Sequence, residues 1–228
     1  MSHIAANSRL TTQPAELKLR YLIAEEAFKK IDIFEQRDSV GGVWNYTAEP
    51  GPGLPSSITS DPAAIFQTPS HGGDGAARNP AYVSPMYDQL ETNLPRSLMQ
   101  YSDLEFPSES QLFPQREVVM HYLQDYSVEV RNLIQFETHV EDVSLVPGAN
   151  HDRWTVRTKH SASGNSTEGI YDAVIVASGH FEEPHIPPIP GLMSWIAAYP
   201  NSVIHSKAYR NPERFREKYV SKPLRTSP

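Results

Sequence analysis

Cysteine is absent from the 228 residues of this chain. Its absence excludes disulfides, thiolate zinc sites, iron–sulfur ligation, a cysteine nucleophile and a redox cysteine pair. Glycine is scarce, with 12 residues and none before Gly41, whereas there are 20 prolines. Positive charge is also short. A net charge of -7 argues against a broad binder of phosphate backbones, so no nucleic-acid partner is expected. No apolar stretch approaches the roughly 20 residues that cross a bilayer, and the N-terminus lacks the apolar core of a signal peptide. These absences lead to the expectation of a soluble, cytoplasmic protein with no membrane signal in this chain. The length suits one large domain or two small ones.

Residues 1–18 show no clear period. Leu19, Leu22, Ile23 and Ala27 then fall at helical spacing, opposite Glu25, Glu26, Lys29 and Lys30. Ile31 to Glu35 follows directly as a short strand, with Ile31 and Ile33 alternating against Asp32. A helix feeding a strand suggests an α/β unit. Residues 47–85 lose all period, are rich in Pro, Gly, Ser, Ala and Thr, and read as a long loop insertion with Gly72 to Gly75 at its tip. Tyr87 to Tyr101 reads as partly helical, with Pro95 suited to a first turn. Beyond Pro114, the spacing of Val119, Tyr122, Leu123, Tyr126 and Val130 predicts an amphipathic helix. Three strands are expected after it: Ile134 to Val146, Trp154 to Thr158 with a hairpin loop before it, and Ala173 to Ala177. The last is an unbroken apolar run, suited to a strand buried on both faces of a parallel sheet. The proline-punctuated tail from Pro184 reads as a stiff linker.

Three pieces could carry chemistry. Glu35 is an acid at the C-terminal end of an α/β strand, where dinucleotide folds hold a ribose through its hydroxyls. Gly41-Gly42-Val43-Trp44 follows, offering close backbone approach and an aromatic wall. Ala177-Ser178-Gly179-His180 closes the apolar strand with a turn small enough to lie beside a cofactor. Each piece alone is as easily a solvated acid, a core tryptophan or a plain loop. No metal site is expected, since His180 and His185 have no third ligand at a regular spacing.

The order of these pieces resembles the FAD-binding part of the flavin-containing monooxygenases. The likeness is carried by the acid-ended strand, Gly-Gly-Val-Trp, Leu90-Glu91-Thr92-Asn93-Leu94-Pro95, Tyr101-Ser102-Asp103, the Phe136 to Val143 strand, the Ala177 to His180 turn and Pro190-Gly191. His205-Ser206-Lys207-Ala208-Tyr209-Arg210 completes it, and the match runs from about Arg20 to Val220. The resemblance implies a Rossmann-like α/β fold and FAD and NADP as cofactors. It implies Glu35 at the adenosine ribose, Gly42, Val43 and Trp44 along the flavin, and the Val140 backbone at the adenine. Thr92 and Asn93 would lie beside flavin and nicotinamide, with the Asn93 amide as the catalytic contact. The implied reaction moves one oxygen atom from O₂ to nitrogen or sulfur of a small-molecule substrate, with NADPH as reductant.

The family opens with a strand and a G-x-G-x-x-G turn for the pyrophosphate. No such motif occurs here, and Arg20 to Glu26 looks like the end of the helix that should follow it. Phe215 to Val220 looks like the lead-in to a second dinucleotide strand. The expectation is therefore an α/β chain with a partial FAD-binding domain over 19–191, containing an antiparallel β insertion. Residues 1–18 would be unmatched, the first strand of the sheet would be missing, and 192–228 would hold a linker and the start of a largely missing NADP-binding domain. Losing that first strand would leave an exposed edge at Ile31 to Glu35. A Baeyer–Villiger oxygenase and a non-enzymatic remnant stay open as alternatives. A disulfide reductase does not, for want of cysteine.

Overall fold

A computed structural model describes residues 3–8, 23, 25–26, 28–48, 83–148, 150–179, 186–199 and 202–216. Two sheets organise them. A parallel sheet has the order β3-β2-β1-β7, formed by β1 (His3–Ser8), β2 (Lys30–Glu35), β3 (Ile134–Gln135) and β7 (Ala173–Ala177). An antiparallel sheet has the order β4-β5-β6, formed by β4 (Thr138–Val146), β5 (Arg153–His160) and β6 (Ser166–Tyr171). Among the described residues the α-helices are α1 (Arg96–Met99), α2 (Arg116–Ser127) and α3 (Leu192–Ala198).

The expectation of a missing first strand is corrected here. His3–Ser8 occupies the central slot, paired in parallel with β2 from His3↔Lys30 to Ser8↔Glu35 and with β7 from Ile4↔Ala173 to Ser8↔Ala177. β2 is therefore flanked by β1 along its whole length and by β3 at Ile33 and Phe34. The segment His-Ile-Ala-Ala-Asn-Ser has little strand propensity of its own. What makes it a strand is the pair of backbone ladders on either side of it.

β2 packs on both faces. Ile33 sits with Val130 and, around them, Leu133, Ile134 and Ile175. Phe34 points the other way, to Val140, Val156 and Tyr171 of the antiparallel sheet. Such double burial removes the wet face expected at Asp32, which is only 7% exposed. Its carboxylate is instead held inside: it accepts from Tyr171 Oη at 2.9 Å and from Gln135 Nε2 at 3.4 Å, and pairs with Lys30 Nζ at 2.6 Å. The bond from Tyr171 ties the second sheet to the first.

Burial, then the Asp32 carboxylate, raise the Tyr171 hydroxyl well above its usual value near 10. A raised folded-state pKa contributes stability that is complete below the unfolded value and is lost as pH rises toward the folded one. The melting temperature is thus expected to fall above about pH 10. Tyr171→Phe should cost about 1.5–3 kcal/mol near neutral pH, the worth of a hydrogen bond to a charged group. It should also show a shallower alkaline decline than the wild type. Thermal melts from pH 7 to 11 check both, and equal alkaline slopes would contradict the assignment.

Four further departures from the sequence reading concern the strands and α3. The run from Ile134 to Val146 breaks at Glu137, whose φ is 51°, so that β3 joins the parallel sheet and β4 pairs antiparallel with β5. The polar strand β6, Ser-Thr-Glu-Gly-Ile-Tyr, was not anticipated because five of its six residues carry no buried side chain. β7 is not buried on both faces: Val176 is 66% exposed. The helix expected after Pro114 is present as α2, with Val119, Tyr122, Leu123 and Tyr126 buried, and Pro95 caps α1. α3 lies in the stretch expected to be linker; Ile196 is its buried contact, packed by Ile186, Leu192, Met193 and Val203. Most of the helix expected over 19–27, most of the 47–85 insertion, and Pro184 lie outside the described residues.

Candidate functional site

The segment from Glu35 to Trp44 leaves the C-terminal end of β2, the end at which open parallel sheets bind ligands. Glu35 is 4% exposed and accepts from the Arg37 backbone N–H at 2.8 Å. Val140 packs on Phe34, one residue before Glu35, so the start of β4 lies against this strand end. The β4–β5 ladder shifts register just after Val140, skipping Glu141, a bulge that interrupts regular pairing at this position.

Gly41 turns the chain with φ 102°, and a 3₁₀ turn over Gly42–Trp44 follows, closed by Trp44 N–H to Gly41 O at 2.9 Å. A Cβ on Gly41 would stand 2.5 Å from Met120 Sδ of α2, so the turn lies directly on that helix. Val43 is buried, and Trp44 joins the cluster of Phe106, Val119, Tyr122 and Leu123. The Thr92 segment docks at the start of the same helix. Thr92 N–H donates to Pro114 O at 3.0 Å, Arg116 N–H to Leu90 O at 3.1 Å, and Thr92 Oγ1 to Leu94 O at 2.8 Å. Thr92 is buried and Asn93 is exposed.

The expected residues thus gather at the two ends of one short segment. Glu35 and Val140 stand at one end. Gly42, Val43 and Trp44 stand at the other, on α2, whose first turn also carries Thr92 and Asn93. A shallow cleft of about 310 Å³ on another side of α2, lined by Pro107, Gln111 and His121 among others, contains none of them. Among the described residues no three His, Asp or Glu side chains form a metal-holding cluster. No described helix is long and apolar enough to cross a membrane.

Two features escaped the sequence reading. Gln36 is 2% exposed, and neither its Nε2 nor its Oε1 has a hydrogen-bond partner. A buried amide without partners costs about 1–3 kcal/mol, which a bound polar group can offset. Its position beside Glu35 was the available signal. Tyr46 and Asp88 form the second feature, a hydrogen-bonded pair with the Arg116 guanidinium 3.8 Å above the Tyr46 ring. Burial, then the Asp88 bond, raise the Tyr46 hydroxyl.

Comparison with known proteins bears on this arrangement. The family profile described as "FMO-like: Flavin-binding monooxygenase-like" matches residues 74–221, more than half of the chain. Flavin-containing monooxygenase FMO GS-OX1 of Arabidopsis thaliana is 36% identical over 197 residues, covering 82% of this chain and 37% of that protein. Flavin-containing monooxygenase FMO GS-OX-like 1 of the same plant is 38% identical over 194 residues, with 82% and 36% covered. Among solved structures, Tmm from Pelagibacter superposes with a TM-score of 0.65 at 23% identity, covering 94% of this chain and 44% of that one. The chain therefore spans about 37% of the length of the curated relatives it matches.

Proposed function

The chain belongs to the flavin-binding monooxygenase-like family, and from that premise we propose that it holds FAD along the Glu35–Trp44 segment and serves an NADPH-dependent oxygenation of a small nitrogen or sulfur nucleophile. One observation carries this reading: the two ends of a ten-residue segment gather two different sets of binding groups. That spacing suits an elongated dinucleotide rather than a compact ligand.

The residues fit the group at both ends. The buried Glu35 carboxylate and the unpartnered Gln36 amide, side by side, match a ribose diol, which both donates and accepts. Val140 packs with Phe34, the neighbour of Glu35, and its backbone would line the adenine. Gly42 leaves room for close backbone approach, and Val43 and Trp44 wall the flavin side. Thr92 is locked by its bonds to Leu94 and Pro114, which fixes the chain direction for exposed Asn93, the amide offered to flavin and nicotinamide.

When bound, the flavin supplies the redox and oxygen chemistry. This chain's own residues bind, orient and exclude water. Trp44 is half-buried against Phe106 and Tyr122 and keeps that side of the site dry.

Flavin titration and NADPH oxidation test the reading. The purified chain is expected to carry flavin absorbance. Glu35→Ala should weaken FAD by about 10- to 100-fold, the loss of one or two bonds to a charged acceptor. FMN, which has no adenosine ribose, should bind both forms equally. A folded wild type that takes up no FAD would overturn the proposal. FAD binding without NADPH oxidation would restrict the chain to cofactor binding.

A further inference from the structure

The family resemblance includes His205 to Arg210, yet nothing in the cofactor reading above uses that segment. Arg210 is 8% exposed. Its guanidinium makes four hydrogen bonds, all to backbone carbonyls: Nε to Thr47 O at 2.6 Å, Nη1 to Lys207 O at 2.9 Å and Tyr209 O at 2.8 Å, and Nη2 to Ser84 O at 3.1 Å. Two of these carbonyls belong to its own segment. The other two stand 37 residues apart in sequence, on chains that meet where Ser84 N–H approaches Thr47 Oγ1 at 3.4 Å.

Ser84 passes the connection on. It is fully buried, and its Oγ donates to the carbonyl of Val43 while accepting from Met86 N–H at 3.2 Å. A second link runs in parallel. Asp88 N–H donates to Arg210 O at 2.8 Å, the Asp88 carboxylate accepts from Tyr46 Oη, and Asn211 Nδ2 donates to its other oxygen at 3.0 Å. Trp44 lies between the two anchored points, Val43 and Tyr46.

We propose that Arg210 is a positioning residue for the flavin wall: its planar fork holds Thr47 and Ser84 in register, and Ser84 in turn fixes the carbonyl of Val43 and hence the setting of Trp44. The proposal rests on the flavin reading for its purpose but not for its geometry. A planar guanidinium can serve four carbonyls at once, and as a cation it makes each bond stronger than a neutral donor would. Lysine keeps the charge but offers three donors from one atom, which cannot span carbonyls on three separate chain segments. The four carbonyls carry no sequence information, so what the arginine recognises is backbone placement.

Amide hydrogen exchange and flavin titration on Arg210→Lys, Arg210→Ala and Ser84→Ala test this. The Trp44 and Asn45 amides, bonded to Gly41 and Gly42 carbonyls, should exchange at least tenfold faster in Arg210→Ala. Amides of the β5–β6 ladder should be unchanged. FAD should bind roughly tenfold more weakly to the lysine variant and more weakly still to the alanine variant. The flavin absorption maximum should be shifted even at saturation, a change that loss of stability alone would not produce. If Arg210→Ala unfolds, Ser84→Ala decides, since it removes the Ser84 Oγ bonds to Val43 O and Met86 N–H while leaving the arginine in place, and should accelerate Trp44 and Asn45 exchange by itself. Unchanged exchange at Trp44 and Asn45 in a folded variant overturns the proposal. Faster exchange with unaltered FAD affinity and spectrum also overturns it, leaving Arg210 a structural brace. A wild type that folds but takes no flavin defeats the cofactor reading instead, and the exchange comparison then judges the clamp alone.

Discussion

Tyr122→Ala is expected to destabilise the chain by about 3–5 kcal/mol, the cost of truncating a large buried aromatic. Tyr122 is 3% exposed and does two things at once. Its ring stacks on Phe106 with centroids 3.9 Å apart and planes 10° from parallel, and it packs with Val119 and Leu123 under Trp44. Its hydroxyl accepts from Tyr101 N–H and donates to Leu104 O, both at 2.7 Å. The alanine variant loses the packing and leaves two backbone groups without their partner. Tyr122→Phe separates the two contributions. It keeps the ring and should cost only the hydrogen bonds, about 1–3 kcal/mol. At roughly 2–4 °C per kcal/mol for a chain of this size, thermal melts resolve the difference. A phenylalanine variant as unstable as the alanine one would mean that the ring contributes little.

Gly41→Val is expected to cost about 2–4 kcal/mol and to disturb flavin binding together with stability. Two effects add. A non-glycine residue at φ 102° carries steric strain of about 1–3 kcal/mol, and valine is among the worst tolerated there. The new Cβ would also stand 2.5 Å from Met120 Sδ, forcing either the methionine or the turn to move. The methionine end is flexible, so the clash can be relieved while the backbone strain cannot. A double-mutant cycle with Met120→Ala separates them. The second change should recover part of the loss from Gly41→Val and leave the remainder. Full recovery would mean that the positive φ costs nothing. Denaturant midpoints measure each corner of the cycle.

Much of the candidate site is legible in the sequence because its signals are local. The acid ending β2, the paired glycines before Trp44 and the Thr92-Asn93 segment are contiguous in sequence, and their order along the chain is a property of sequence alone. The α2 stripe was legible for the same reason, since helical periodicity needs only the residues themselves. The β4–β5 hairpin followed from alternation and a turn. What was not legible depended on neighbours distant in sequence. Gln36 looks like any polar residue after a strand until the fold buries it. Arg210 looks solvated until the remote carbonyls of Thr47 and Ser84 converge on it. Asp32 reads as the wet side of a strand until Tyr171, 139 residues away, donates to it.

The first strand illustrates the division most sharply. The sequence by itself determined that no glycine precedes Gly41, that thiol chemistry is excluded, and that an acid-ended strand precedes a glycine pair and a tryptophan. It could not show that His3–Ser8 is the centre of the parallel sheet. Strand propensity in that segment is too weak to announce it, because a central strand draws its stability from two ladders of backbone bonds to β2 and β7. Those ladders exist only once the chain has folded. Tertiary structure therefore decided which segment completes the sheet, which polar groups are buried beside Glu35, and what the arginine at the far end of the sequence holds in place.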